Sequence, residues 1–118
     1  MTLQTNIIVR LQVEGLHNFP LAGELFSEVA FLSYPHRHLF HITCKKEVFH
    51  DDRDVEFILF KRKIESYLIL KYGHGTGQYC DFKAMSCEMI ARELLEEFEL
   101  EYCSVFEDNE NGAEIFKK

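Results

Sequence analysis

The stretch Asn6-Ile7-Ile8-Val9-Arg10-Leu11-Gln12-Val13-Glu14-Gly15-Leu16-His17 decides the fold, because its side chains alternate in character. Ile7, Val9, Leu11 and Val13 share one face, and Arg10, Gln12 and Glu14 share the other. Successive side chains of a strand point to opposite faces, so this run reads as a half-buried strand with one face on a core. The same period carries Gly15 and His17 onto the apolar side, which places His17 at the strand's inner end.

Working outward, residues 36–49 read as a second strand, with His36, His38, Phe40 and Ile42 on one face and Arg37, Leu39, His41 and Thr43 on the other. Between the two, residues 18–35 form a loop with Pro20 and Pro35 that also carries Leu21, Leu25, Phe26, Val29, Phe31 and Leu32. A loop this apolar must pack against something, such as a partner subunit. Asp51-Asp52-Arg53-Asp54 reads as a turn, and residues 55–58 as a further extended segment. From Leu59 the pattern turns helical. Phe60, Ile64, Tyr67, Leu68 and Lys71 recur at the helical period, with Lys61, Arg62 and Glu65 outside and Gly73 closing the run. The segment Gly73-His74-Gly75-Thr76-Gly77 reads as a loop, because its glycines oppose regular structure.

Ser86 is placed to cap a second helix whose buried stripe is Met89, Ile90, Leu94 and Phe98, with Glu93, Glu96 and Glu97 toward water. Residues 102–106 and 113–116 read as two more strands, with Asn111-Gly112 as the hairpin turn. The expected architecture is one α+β domain over residues 1–118, ordered β-β-α-α-β-β. Its four strands form an antiparallel sheet with two helices on one face. A chain of 118 residues suits a single domain.

The bulk properties narrow the partners. The formal net charge is −7, with the acidic residues concentrated in 88–114 and only short basic clusters at Lys45-Lys46 and Lys61-Arg62-Lys63. Such a chain is a poor match for nucleic acid, which is bound through phosphate neutralisation. Cys44, Cys80, Cys87 and Cys103 form no C-x-x-C pair, and residues 1–6 show no apolar segment behind a basic one. Both features lead to the expectation of a cytoplasmic protein with reduced thiols. No apolar run reaches the roughly 18 residues of a membrane span, so no membrane partner is expected.

The histidines carry the chemistry. His36 and His38 stand two apart on a strand, so both project from one face, about 7 Å apart along the backbone. Their rings can converge on one ion. His17 ends the neighbouring strand on its apolar face and supplies a third imidazole, while His41 points the other way. Three neutral imidazoles suit a borderline cation such as Zn²⁺ and leave a fourth position open, as catalytic zinc sites do.

In order along the chain, these residues resemble the 6-pyruvoyl-tetrahydropterin synthase and 6-carboxy-tetrahydropterin synthase family, which has the tunnelling fold. That family shows an early strand ending in histidine, a His-Gly-His opening the next strand, and a Val-Ile-Asp-Phe-like entry to a helix. A Pro-Thr-x-Glu-Asn at a second helix and a strand running into Glu-Thr follow. The counterparts are His17, His36-Arg37-His38, Phe57-Ile58-Leu59-Phe60, Ser86-Cys87-Glu88-Met89 and Val105-Phe106-Glu107-Asp108. The resemblance implies a zinc-dependent lyase acting on dihydroneopterin triphosphate or a related pterin, with His17, His36 and His38 as zinc ligands. It implies that Glu107 holds the amino-pyrimidine edge, where a carboxylate accepts two parallel N–H bonds. It also implies a homo-oligomeric barrel, often a hexamer, with sites at the interfaces.

The sequence departs from the family at the proton-transfer machinery. Leu32, followed by Ser33, stands where members place a cysteine base, and Arg37 replaces the glycine between the two ligands. Leu59 replaces an aspartate before Phe60. His74 and Asp81 are the nearest match to the family's Asp-His pair. The alternative implied by these departures is a catalytically altered pterin- or purine-binding protein, or a structural oligomer, that keeps the fold.

Overall fold

The computed structural model describes residues 1–76 and 78–118; Gly77, the last glycine of the expected loop, lies outside the described residues. Its strands are β1 (Thr5–His17), β2 (His36–Val48), β3 (Gly73–His74), β4 (Tyr79–Asp81), β5 (Tyr102–Glu107) and β6 (Asn111–Phe116). Its helices are α1 (Ala22–Leu25), α2 (Phe57–Tyr72) and α3 (Cys87–Glu97), and a 3-10 segment covers Ser27–Ser33. The strands make one six-stranded sheet in the order β3-β4-β1-β2-β5-β6.

The antiparallel four-stranded sheet expected from sequence is therefore the central and distal part of a larger, mixed one. β1, β2, β5 and β6 pair antiparallel as read, but β4 runs parallel to β1, with Gly15 beside Cys80 and Leu16 beside Asp81. β3 then pairs antiparallel with β4. These two strands have only two and three residues, too few to hold a period. Gly73-His74 is thus strand rather than loop. Gly73 does end α2, but in an extended conformation that leads straight into β3, with its N–H on the Ile69 carbonyl.

Residues 55–58 do not extend a strand. Glu56 accepts from the Ile58 and Leu59 N–H groups and caps α2, which starts at Phe57. The cap lost with an aspartate at Leu59 is supplied three residues earlier. In α3 the Ser86 hydroxyl accepts from the Met89 N–H at 3.2 Å, as a cap should. The β5–β6 turn also lies earlier than Asn111-Gly112. Asp108 and Asn109 have φ of 52° and 57°, and the Glu110 N–H bonds the Glu107 carbonyl at 2.9 Å. Asp and Asn tolerate the left-handed region that such a hairpin centre needs. Gly112 instead lies inside β6, where an added Cβ would run into the Val105 carbonyl and Phe106.

One face of the sheet carries the core. Val9, Leu11, Phe40, Ile42, Cys44, Cys103 and Val105 meet Phe60, Ile64 and Leu68 of α2 and Ile90, Ala91 and Leu94 of α3. The opposite face of β1 shows exposed Ile8, Arg10 and Gln12, so the alternation read from sequence is the one the fold uses. All four cysteines are free thiols, and no helix among the described residues is long and apolar enough to cross a membrane.

Candidate metal centre

The register of the central pair assembles the site. His17 lies directly opposite His36, and Gly15 opposite His38. Antiparallel partners share a face, so all three imidazoles emerge on the core side at the end of β1 and the start of β2. Gly15 leaves the space the site needs, since a Cβ there would come within 2.8 Å of the Phe40 ring and 2.9 Å of Phe82. Phe40 floors the cluster edge-to-face, its centroid 5.2 Å from His17 and 5.8 Å from His38. Arg37, between the ligands, turns to the other face and pairs with Glu14.

Each ring is held from outside through Nδ1. His17 Nδ1 meets the Met85 carbonyl at 2.9 Å, His36 Nδ1 the Tyr34 carbonyl at 2.9 Å, and His38 Nδ1 the Asp108 carboxylate at 2.7 Å. An Nδ1–H spent on an oxygen leaves Nε2 as a bare donor, the tautomer a metal requires. The Nε2 atoms of His17 and His38 are buried and have no hydrogen-bond partner. Buried polar atoms are rarely left so, unless something absent from the polypeptide satisfies them. Ligand atoms of the three histidines lie within 4.8 Å of one another. Burial lowers the His17 pKa below its ordinary value, against the opposing pull of the Met85 carbonyl and Glu107, so this ring is neutral at neutral pH. The donor set therefore fits a zinc-like ion.

Glu107 reaches the same point from β5. It pairs with Phe40, which puts it on the inner face, and its carboxylate lies 2.9 Å from His17 Nε2 and 3.4 Å from His38 Nε2. Both nitrogens remain without a hydrogen bond, because a bare Nε2 and a carboxylate are both acceptors. The Cys87 thiol stands 3.7 Å from Glu107 Oε2, and burial, with Glu107 adding to it, pushes Cys87 up to about 12. Beside these groups opens a cleft of about 560 Å³ lined by His17, Phe19, Phe26, Leu32, His36, Met85, Cys87 and Glu107.

The other residues singled out from sequence stand apart. His74 is exposed on edge strand β3, with β4 between it and β1, two strand spacings from β1 or about 9.5 Å across the sheet. Asp81 caps the following turn by accepting from the Lys83 N–H at 3.0 Å. Within this chain neither joins the histidine cluster. Sequence reasoning missed Met85, Tyr34 and Asp108, whose contacts depend on loop and turn geometry. For Asp108 one signal was available, a second carboxylate adjacent to Glu107.

No family model matches the sequence, and no curated relative matches it. Among solved structures, the 6-pyruvoyl tetrahydropterin synthase of Caenorhabditis elegans superposes with a TM-score of 0.66. The match covers 98% of this chain and 96% of that one at 15% sequence identity. The chain thus has the fold that the motif order implied.

Proposed function

We propose that the protein is a zinc-dependent, pterin-converting lyase of the 6-pyruvoyl or 6-carboxy-tetrahydropterin synthase type, acting on dihydroneopterin triphosphate or a related pterin. One observation carries this reading: three imidazoles are held by their Nδ1 atoms beside a cleft that also contains Glu107, and two of them, His17 and His38, present buried, unpartnered Nε2 atoms. His17, His36 and His38 would hold the ion, which as a Lewis acid would polarise side-chain oxygens of a bound substrate. Glu107 would accept paired N–H bonds from the amino-pyrimidine edge. Phe19, Phe26 and Met85 give the cleft apolar walls for a flat ring. His74, exposed on an edge strand with Asp81 one strand in, would serve a site completed by a neighbouring copy in a homo-oligomer, most simply a hexamer.

A second reading, binding without turnover, is favoured by a specific observation. Leu32 lines the cleft and cannot move a proton, and Cys87, the thiol that reaches Glu107, is held protonated by a pKa of about 12. Zinc per chain, measured in protein purified without added metal, tests the shared premise. The parent is expected to carry about one equivalent and the His36→Ala variant little, as loss of a ligand requires. Turnover of dihydroneopterin triphosphate by the zinc-loaded parent then separates lyase from binder. Zinc-free parent protein would sink both readings.

A further inference from the structure

The face of the sheet turned away from the helices carries a second cleft, of about 850 Å³, within the size range of small-ligand sites. Strand register builds it. Arg10 lies opposite Thr43 and Thr43 opposite Ser104, while Lys45 lies opposite Tyr102. Antiparallel partners share a face, so these rows stand side by side on one surface. Arg10 and Lys45 are diagonal neighbours across β1 and β2, about 7–8 Å apart at the backbone, a span their long side chains can close around one ligand. β4 pairs with β1 only at Gly15 and Leu16, so the edge of β1 at Arg10 is open, and Lys61 of α2 lines the cleft from around it.

The chain carries a net charge of −7, yet this cleft gathers Arg10, Lys45 and Lys61 against one lining carboxylate, Glu65. Among the described residues, the lysines and arginines in ion pairs are Arg37, Arg53, Lys71 and Lys117, and none of these three is so engaged. Lys45 stands 4.3 Å over the Tyr102 ring, whose hydroxyl donates to Glu114 at 3.2 Å. Cations that converge in a concave site focus a positive field there. Arg offers phosphate oxygens a fork of N–H donors, Lys offers a point charge, and the Thr43 and Ser104 hydroxyls on the floor add donors. A nucleic-acid surface spreads its cations along a stripe, whereas these meet in one place.

We propose that this cleft binds a phosphate chain, that of a nucleoside triphosphate or an inorganic polyphosphate, through Arg10, Lys45 and Lys61. The site lies on the opposite face of the sheet from the histidine triad and does not depend on the metal reading.

Isothermal titration calorimetry of the metal-free full chain at one fixed low salt concentration tests it, with inorganic tripolyphosphate and adenosine triphosphate as probes. Saturable binding of tripolyphosphate by the parent is expected. Arg10→Gln or Lys45→Gln is expected to weaken it about 10–100-fold, as loss of a charge-assisted contact implies. Arg10→Lys, which keeps the charge but not the fork, is expected to lose less. His36→Ala, on the other face, and Lys63→Gln, an equal charge change at an exposed position of α2 outside the cleft, are expected to match the parent. Adenosine triphosphate held more tightly than tripolyphosphate assigns the site to a nucleotide, whose base would lie by His41 and Phe106, and equal affinity assigns it to the phosphate chain alone. No saturable binding by the parent overturns the site. So does equal weakening by Lys63→Gln and Arg10→Gln, the mark of diffuse attraction, or tighter binding of a single-stranded oligonucleotide than of tripolyphosphate, the mark of a nucleic-acid surface.

Discussion

Asp108 performs two tasks from one turn position. Its Oδ1 accepts from the Leu39 N–H at 2.9 Å and its Oδ2 meets His38 Nδ1 at 2.7 Å, while the residue itself occupies the left-handed turn at φ 52°. The Leu39 N–H first, then His38, holds its carboxyl below the ordinary aspartate range. A carboxylate behind a ligating imidazole fixes the ring and raises its basicity, and its loss costs metal affinity about 10–100-fold. Asp108→Asn keeps the turn, since Asn tolerates the same backbone region. The expected outcome is zinc binding weakened within that range, with an unchanged circular dichroism spectrum, measured by competition against a chromophoric chelator. Unaltered affinity would show that the His38 orientation is set elsewhere. At this scale the triad was legible in sequence because His36 and His38 are two apart on one strand and His17 follows the period of its own. Asp108, Met85 and Tyr34 were not, because what they touch is fixed by where a turn or loop folds back, which no local period encodes.

Between elements, the two helices are tied by a polar clamp that sequence reading assigned to solvent. Glu93 of α3 accepts from Tyr67 at 2.9 Å and from Tyr72, and pairs with Lys71 at 3.0 Å, all on α2. Its side chain is only 20% exposed. Helical phase places Glu93 at the rim of the buried stripe, and only the position of α2 turns that rim inward. Burial alone would raise its pKa, but bonds from Tyr72, Lys71 and Tyr67 win and lower it. A carboxylate with a depressed folded pKa contributes stability above its unfolded value of about 4.3, and this is lost as pH falls through the folded value. Glu93→Gln is therefore expected to cost about 1–2 kcal/mol at pH 7. The gap to the parent should narrow below about pH 4. Urea unfolding midpoints at pH 7 and pH 3.5 check both the size and the sign. The same contrast between local and distant information explains which elements were read. The alternation of β1 and β2 and the helical stripes of α2 and α3 run long enough to count. β3 and β4, with two and three residues, owe their existence to pairing, β4 with β1 and β3 with β4.

The whole molecule is flat, with extents of 50 × 37 × 21 Å and a radius of gyration of 15.7 Å. A compact chain of this length would have a radius near 13.5 Å, by the usual scaling of about 2.2·N^0.38. The excess comes from a sheet left open at β3 and β6, and unpaired strand edges invite further pairing. The segment joining β1 to β2 presents Leu21, Leu25, Phe26, Phe31 and Tyr34 to solvent, each at least half exposed. Large apolar side chains exposed together on one segment are the kind of surface a partner covers. Phe26 belongs to this exposed set and to the lining of the cleft, so a neighbour seated here would also wall the candidate site. In the proposed oligomer, assembly and site formation would be coupled, and His74, exposed on β3, would reach a site only across an interface. Light scattering is expected to return a multiple of the 13.9 kDa chain, about 83 kDa for six copies. Phe31→Glu, 67% exposed in the isolated chain, is expected to lower that mass, because a charge buried unpaired at an interface is costly. A parent that runs as a 13.9 kDa monomer while still binding zinc would separate the metal centre from assembly, and would leave His74 no site to complete.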